Sequence, residues 1–182
     1  MKLDLLPTIT LLIGIIGTLA VTWLQGVLAE SSRQSKRDRV RRTALEDRRD
    51  AFELETLQAA FDASNLLARA SFRQHLLDIR VARSANVPYG SHQLTGIEGA
   101  AELGESLRLA NMTTHARASL LLDTAIRDAL EEAVGAMNAV GTTGAKSIEE
   151  AKSEMDKASL VLAAAQRSIA DRIREIYLNI GT

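Results

Sequence analysis

The chain has 182 residues, a net charge of −1 and no Cys. The missing Cys excludes disulfides, thiolate metal sites, Cys nucleophiles and a Cys-linked lipid anchor, and the balanced charge excludes a general attraction to nucleic acid. Aromatics are 3% of residues and no run alternates as a strand does, so the composition is that of long helices packed through small and aliphatic side chains.

From Leu5 to Ala29 no residue is charged. About 20 apolar residues in a helix cross the hydrocarbon layer, and the segment 8–28 supplies that length. Pro7 suits the first turn of such a helix, where its missing N–H has no partner to lose. Trp23 suits the far interface, where its indole N–H reaches the headgroups. A cleavable signal peptide fits less well: the apolar run is too long and Asp4 stands beside Lys2. The expectation is a single transmembrane helix. Within it Thr10, Gly14, Thr18, Thr22 and Gly26 recur every four residues, a small-residue ridge that suits close packing against another membrane helix.

The segment 29–43 carries Arg33, Lys36, Arg37, Arg39, Arg41 and Arg42. The positive-inside rule places this cluster in the cytoplasm and residues 1–7 outside. Anionic lipid headgroups are expected partners of the cluster, at about 1 kcal/mol for each Lys or Arg near the surface. The cluster lacks interleaved aromatics for base stacking, so nucleic acid is not an expected partner.

Residues 44–182 read as a helical domain. No Gly or Pro interrupts 36–84, and Phe52, Leu54, Leu57, Phe61, Leu66, Leu67, Phe72, Leu76, Leu77 and Ile79 are expected to form its buried stripe. "SANVPYGSH" at Ser84–His92 ends this helix, because Pro88 disfavours helical geometry at Val87. Thr95-x-x-Glu98 resembles a capping box opening a second helix to about Val140, interrupted near Asp123-Thr124. Ser147-x-x-Glu150 is a second capping box. It opens the cleanest pattern in the chain: Ile148, Ala151, Met155, Ala158, Leu162, Ala165, Ile169, Ile173, Ile176 and Ile180, in steps of three or four. The expected fold is all-α: the membrane helix, then an antiparallel bundle of three long helices joined by short loops.

No catalytic, cofactor or metal constellation emerges. His75, His92 and His115 lack partners at ligand spacing. His75 reads as a structural imidazole, and the "NMTTHAR" patch around His115 as a bend or a hydrogen-bonded contact between helices. Glu131-Glu132 and Glu149-Glu150 read as solvated helix faces rather than a catalytic pair. Gly96-x-x-Gly99 and Gly141-x-x-Gly144 follow no strand and carry no P-loop Lys. The chain therefore reads as a non-enzymatic, membrane-anchored interaction or scaffold protein of the cell membrane. Its helices would meet another protein or a second copy. The alternatives are a signal-transmitting helical protein, or a membrane-acting toxin or exclusion protein of a mobile element.

Overall fold

The structure is a computed structural model that describes residues 5–90, 97–142 and 146–180, with side chains over 40–90, 97–141 and 146–178. Four helices follow in order: α1 (Leu5–Ala85), α2 (Ala100–Ala118), α3 (Thr124–Thr142) and α4 (Ile148–Ile180). Among the described residues there is no strand. One isolated antiparallel bridge pairs Tyr89 with Lys146, the two backbones exchanging N–H···O bonds of 2.9 and 3.1 Å. The all-α class expected from composition holds.

The chain divides into two units, Met1–Arg49 and Asp50–Thr182. In the first, the side chains of 40–49 are exposed, Arg41 and Arg42 among them. Among the described residues no helix is long and apolar enough to cross a membrane. The predicted span 8–28, with its ridge Thr10, Gly14, Thr18, Thr22 and Gly26, lies outside the residues whose side chains are described, as do Arg33, Lys36, Arg37 and Arg39.

The second unit is a bundle of four helices rather than three. The interruption near Asp123 is a full reversal. Ser119 and Leu120 N–H still reach the carbonyls of His115 and Arg117 at the end of α2. Asp123 Oδ1 then accepts the N–H groups of Ala125 and Ile126 at 2.8 and 3.1 Å, an N-cap that satisfies the first donors of α3. Leu121, buried in this turn, closes one end of the main core, where it joins Leu57, Ala60, Ala118 and Ile126.

Contacts across the bundle fix the helix directions. Thr114 on α2 meets Ala63 on α1, while Ala110 shares a cluster with Leu67 and Ala70, so α2 runs against α1. On α4, Arg172 meets Glu53 and Gln166 meets Ser64 and Asn65, so α4 also runs against α1. The topology is up-down-up-down.

The two long seams differ in kind. On α4 the predicted spacing is the buried one: Ala151, Met155, Ala158, Leu162, Ala165, Ile169 and Ile176 are all in the core. On α1 the expected stripe is only partly right. Leu57, Leu67 and Ile79 are buried, but Phe52, Leu66, Phe72 and Leu76 are exposed. Between Leu57 and Ile79 the buried positions include Ala60, Ala63, Ser64, Ala70 and Ser71. Small side chains let helix backbones approach, and the 3.2 Å bond from Thr114 Oγ1 to the Ala63 carbonyl is possible only at such a distance. A Phe or Leu there would wedge the helices apart.

The helix ends explain the loops. Asn86 takes a left-handed φ of 53°. Around it Val87 N–H bonds the Ala82 carbonyl at 3.0 Å and Asn86 N–H the Arg83 carbonyl at 3.4 Å, the paired bonds of a Schellman C-cap. The Ser147-Glu150 box forms as expected: Glu150 N–H donates to Ser147 Oγ at 3.1 Å, and the Glu150 carboxylate accepts Ser147 N–H at 2.8 Å. The other box does not open α2. That helix begins at Ala100 with Gly99 as N-cap at φ 78°, so Glu98 precedes the helix, and Thr95 lies outside the described residues. Only a glycine adopts that φ without strain.

Candidate functional site

A cleft of about 680 Å³ opens between α1, α2 and α3, with Met155 of α4 at its floor. Helical spacing builds each wall. Ser71, Gln74, His75 and Asp78 are separated by three or four residues and share one face of α1. Leu107, Asn111 and His115 do the same on α2. Met137 and Val140 come from α3, and Tyr89 from the loop after α1. Three of the chain's four Met and two of its three His line this one space.

His75 and Tyr89 organise the α1 side. Both are buried, and His75 Nδ1 lies 3.0 Å from the Tyr89 hydroxyl. The hydroxyl also faces Asp78 Oδ2 at 3.5 Å, a long contact beside the first. Burial lowers the pKa of His75 from its ordinary value, because desolvation disfavours the imidazolium. Asp156 opposes that shift, while Lys146 and Lys152 add to it. Burial, followed by the neighbouring Asp78 carboxylate, raises the phenol of Tyr89 above its usual range. Both rings are thus held neutral near pH 7, as hydrogen-bonding groups rather than charges. The backbone bridge to Lys146 fixes Tyr89 in place, and the Lys146 ammonium sits 6.0 Å from the centre of its ring.

Gln74 is oriented by the same network. Its Nε2 donates to Asp78 Oδ1 at 3.1 Å, which leaves Oε1 as the free end. Three buried side-chain atoms of the described residues lack a hydrogen-bond partner within the protein: Ser71 Oγ, Gln74 Oε1 and Asn111 Oδ1. All three residues line the cleft. A buried acceptor without a partner costs about 1–3 kcal/mol, and each such group in a folded protein calls for an explanation.

Near the edge of the cleft, Arg108 is held by Glu105 through bonds of 2.7 and 2.6 Å. Among the described residues no group of three or more His, Asp or Glu is placed to hold a metal ion. The site is therefore a mixed polar and apolar pocket with neutral rings, one carboxylate at Asp78 and a set of acceptors.

Sequence reasoning saw its pieces but not their meeting. The "NMTTHAR" patch does contain a hydrogen-bonded contact between helices, through Thr114. It also turns Asn111 and His115 toward the cleft, and His115 is exposed there. His75, expected as a structural imidazole, is buried in the same wall. His92 lies outside the described residues. Glu131, Glu132, Glu149 and Glu150 are exposed, as their helix positions suggested. The signal that could have located the site is the i, i+3, i+4, i+7 set of polar residues Ser71, Gln74, His75 and Asp78 on a helix whose other buried positions are small.

No family model matches the chain, and neither a curated protein nor a solved structure matches it.

Proposed function

We propose that the chain is a membrane-anchored, non-enzymatic binding protein. The apolar segment 8–28 crosses the cell membrane with its N-terminus outside. The basic residues from Arg33 to Arg42 lie at the cytoplasmic surface against anionic headgroups, and the bundle presents its helix faces to a protein partner or a second copy. The observation that carries this reading is the exposure of bulky apolar side chains on a helix that buries small ones. Phe52, Leu66, Phe72 and Leu76 of α1 each leave 42–62% of their surface exposed. Phe72 and Leu76 stand one turn apart on α1, and exposed apolar groups that adjoin one another mark interaction surfaces.

The test is detergent extraction of the tagged full-length chain from its native membrane, after crosslinking in place. The expected result is a defined crosslinked species, either a dimer or a complex with one co-purifying protein. Recovery of monomer alone would overturn it.

A second reading has its own observation. The apolar segment 8–28 is followed in the chain, with no Gly or Pro from 36 to 84, by the first helix of the bundle. A protein that transmits a signal would use that covalent continuity to pass a displacement along. A flexible Gly-Ser insertion at Ser32 abolishes function under this reading and leaves it intact under the first.

A further inference from the structure

A separate groove of about 600 Å³ lies between α1 and α2 and shares no residue with the cleft. Its floor is Ala70 and Ala110, both buried, and its rims are Leu66 and Leu109, 53% and 50% exposed. The two walls carry opposite charge. Arg69 and Arg73 stand one turn apart on α1, and Glu102 and Glu105 do so on α2; all four are exposed. Among the described residues no ion pair takes up Arg69, Arg73 or Glu102. Glu105 holds Arg108 in an exposed pair, a weak kind of contact. The Thr114–Ala63 contact sets the level of the two antiparallel helices. From there α1 runs on to Arg73 over as many residues as α2 runs back to Gly104, so Arg73 is level with the stretch between Glu102 and Glu105. By the same count Leu109 is level with Ala68, beside Leu66.

We propose that this groove seats a second copy of the chain, packed groove to groove about a twofold axis parallel to the helices. That axis lays α1 of each copy on α2 of the other. Arg69 and Arg73 of one copy then face Glu102 and Glu105 of the other at the same level, twice over, and each Leu109 meets the Leu66 of the other copy above the alanine floor. A twofold interface must be complementary to itself, and a basic wall level with an acidic one meets that condition. Charges of this kind select the partner and fix the register. A twofold axis across the helices would instead lay basic wall on basic wall. The parallel arrangement also brings the Asp50 ends of both bundles to one side, as two chains held in one bilayer require. The proposal rests on the reading that the partner is a second copy, and it names the seat.

The chain has no Cys, so single introduced cysteines report contact between copies. Two full-length forms, one Leu66→Cys and the other Leu109→Cys, carry different tags, are expressed together in the native membrane and are treated with a short bis-maleimide. The expected result is a crosslinked species of twice the chain mass that carries both tags. Adding Arg69→Glu and Arg73→Glu to the first form alone sets like charges against each other and lowers the yield about tenfold. Adding Glu102→Lys and Glu105→Lys to the second form as well restores it, because every facing pair is again of opposite sign. An unfolded chain could not be rescued in this way, and urea midpoints of both charge variants verify the fold. The proposal is overturned if no species carries both tags, if a different protein is crosslinked in its place, or if the yield ignores the first reversal or is not restored by the second. Copies that co-purify without the crosslink overturn the groove as the seat and leave the second-copy reading standing on another face. Copies that neither co-purify nor crosslink overturn both.

Discussion

Arg172 on α4 donates from Nε to a Glu53 carboxylate oxygen on α1 at 2.6 Å, with the Glu53 side chain 4% exposed and that of Arg172 30% exposed. A second guanidinium nitrogen reaches Glu175, one turn along α4, at 2.6 Å. The hydrogen bond from Glu53, with Glu175 adding to it, raises the guanidinium pKa still further above its ordinary value. This pair locks the register of the first and last helices of the bundle. Arg172→Met leaves a buried carboxylate without its cation and is expected to lower stability by about 3 kcal/mol. The double variant Glu53→Leu, Arg172→Met recovers most of that loss, because an apolar pair of similar size avoids the desolvation of both charges. Urea unfolding of the parent chain, the single variant and the double variant measures both effects.

The small-residue seam of α1 makes a prediction opposite to one drawn from hydrophobicity alone. Ala60→Leu adds bulk where α1 meets its neighbours and should cost about 1–3 kcal/mol. Leu66→Ala, at a position 53% exposed, should change stability by no more than about 0.5 kcal/mol. Thermal unfolding of the two variants side by side checks the assignment. A larger loss from Leu66→Ala would restore the bulky stripe as the buried one.

That contrast explains which parts of the fold were legible. The core face of α4 could be read directly because its buried positions hold Ile, Leu and Met at steps of three and four. The core face of α1 was legible only at Leu57, Leu67 and Ile79, because its other buried positions are Ala, Ser, Thr56, Glu53 and His75, while Phe52, Leu66, Phe72 and Leu76 are exposed. The reversal after α2 was half visible. Asp123 carried the N-cap signal, but "SLLL" before it contains neither Gly nor Pro, and a kinked continuous helix satisfied the same pattern. The cleft was hidden for a topological reason: Ser71 and Asn111 are 40 positions apart, and only the antiparallel return of α2 brings them to one wall.

The reversal itself is measurable as a distance. The chain has no native Cys, so spin labels at Ser106→Cys and Ala139→Cys are unambiguous. In one continuous helix these positions would be about 50 Å apart. With α2 and α3 side by side, axes about 8–10 Å apart, a distance distribution centred below about 25 Å is expected from pulsed electron resonance.

Burial of His75 gives stability a pH dependence of definite sign. Its folded pKa lies below the ordinary value of 6.5, so between those two values the unfolded chain binds the extra proton. Stability from this group is therefore complete above about pH 6.5 and falls as pH drops toward the folded value. The urea midpoint of the parent chain should decrease between about pH 7 and about pH 5, and His75→Gln should flatten that decrease. The Asp156 carboxylate moderates the effect, and Lys146 and Lys152 strengthen it.

The proposed role depends on the chain being held in a bilayer by the segment 8–28. Membranes carrying the full-length tagged chain can be washed at alkaline pH and the pellet and supernatant probed for the tag. The chain should remain wholly in the pellet, and a variant lacking residues 1–28 should appear in the supernatant. Release of the full-length chain by the wash would contradict the anchored reading.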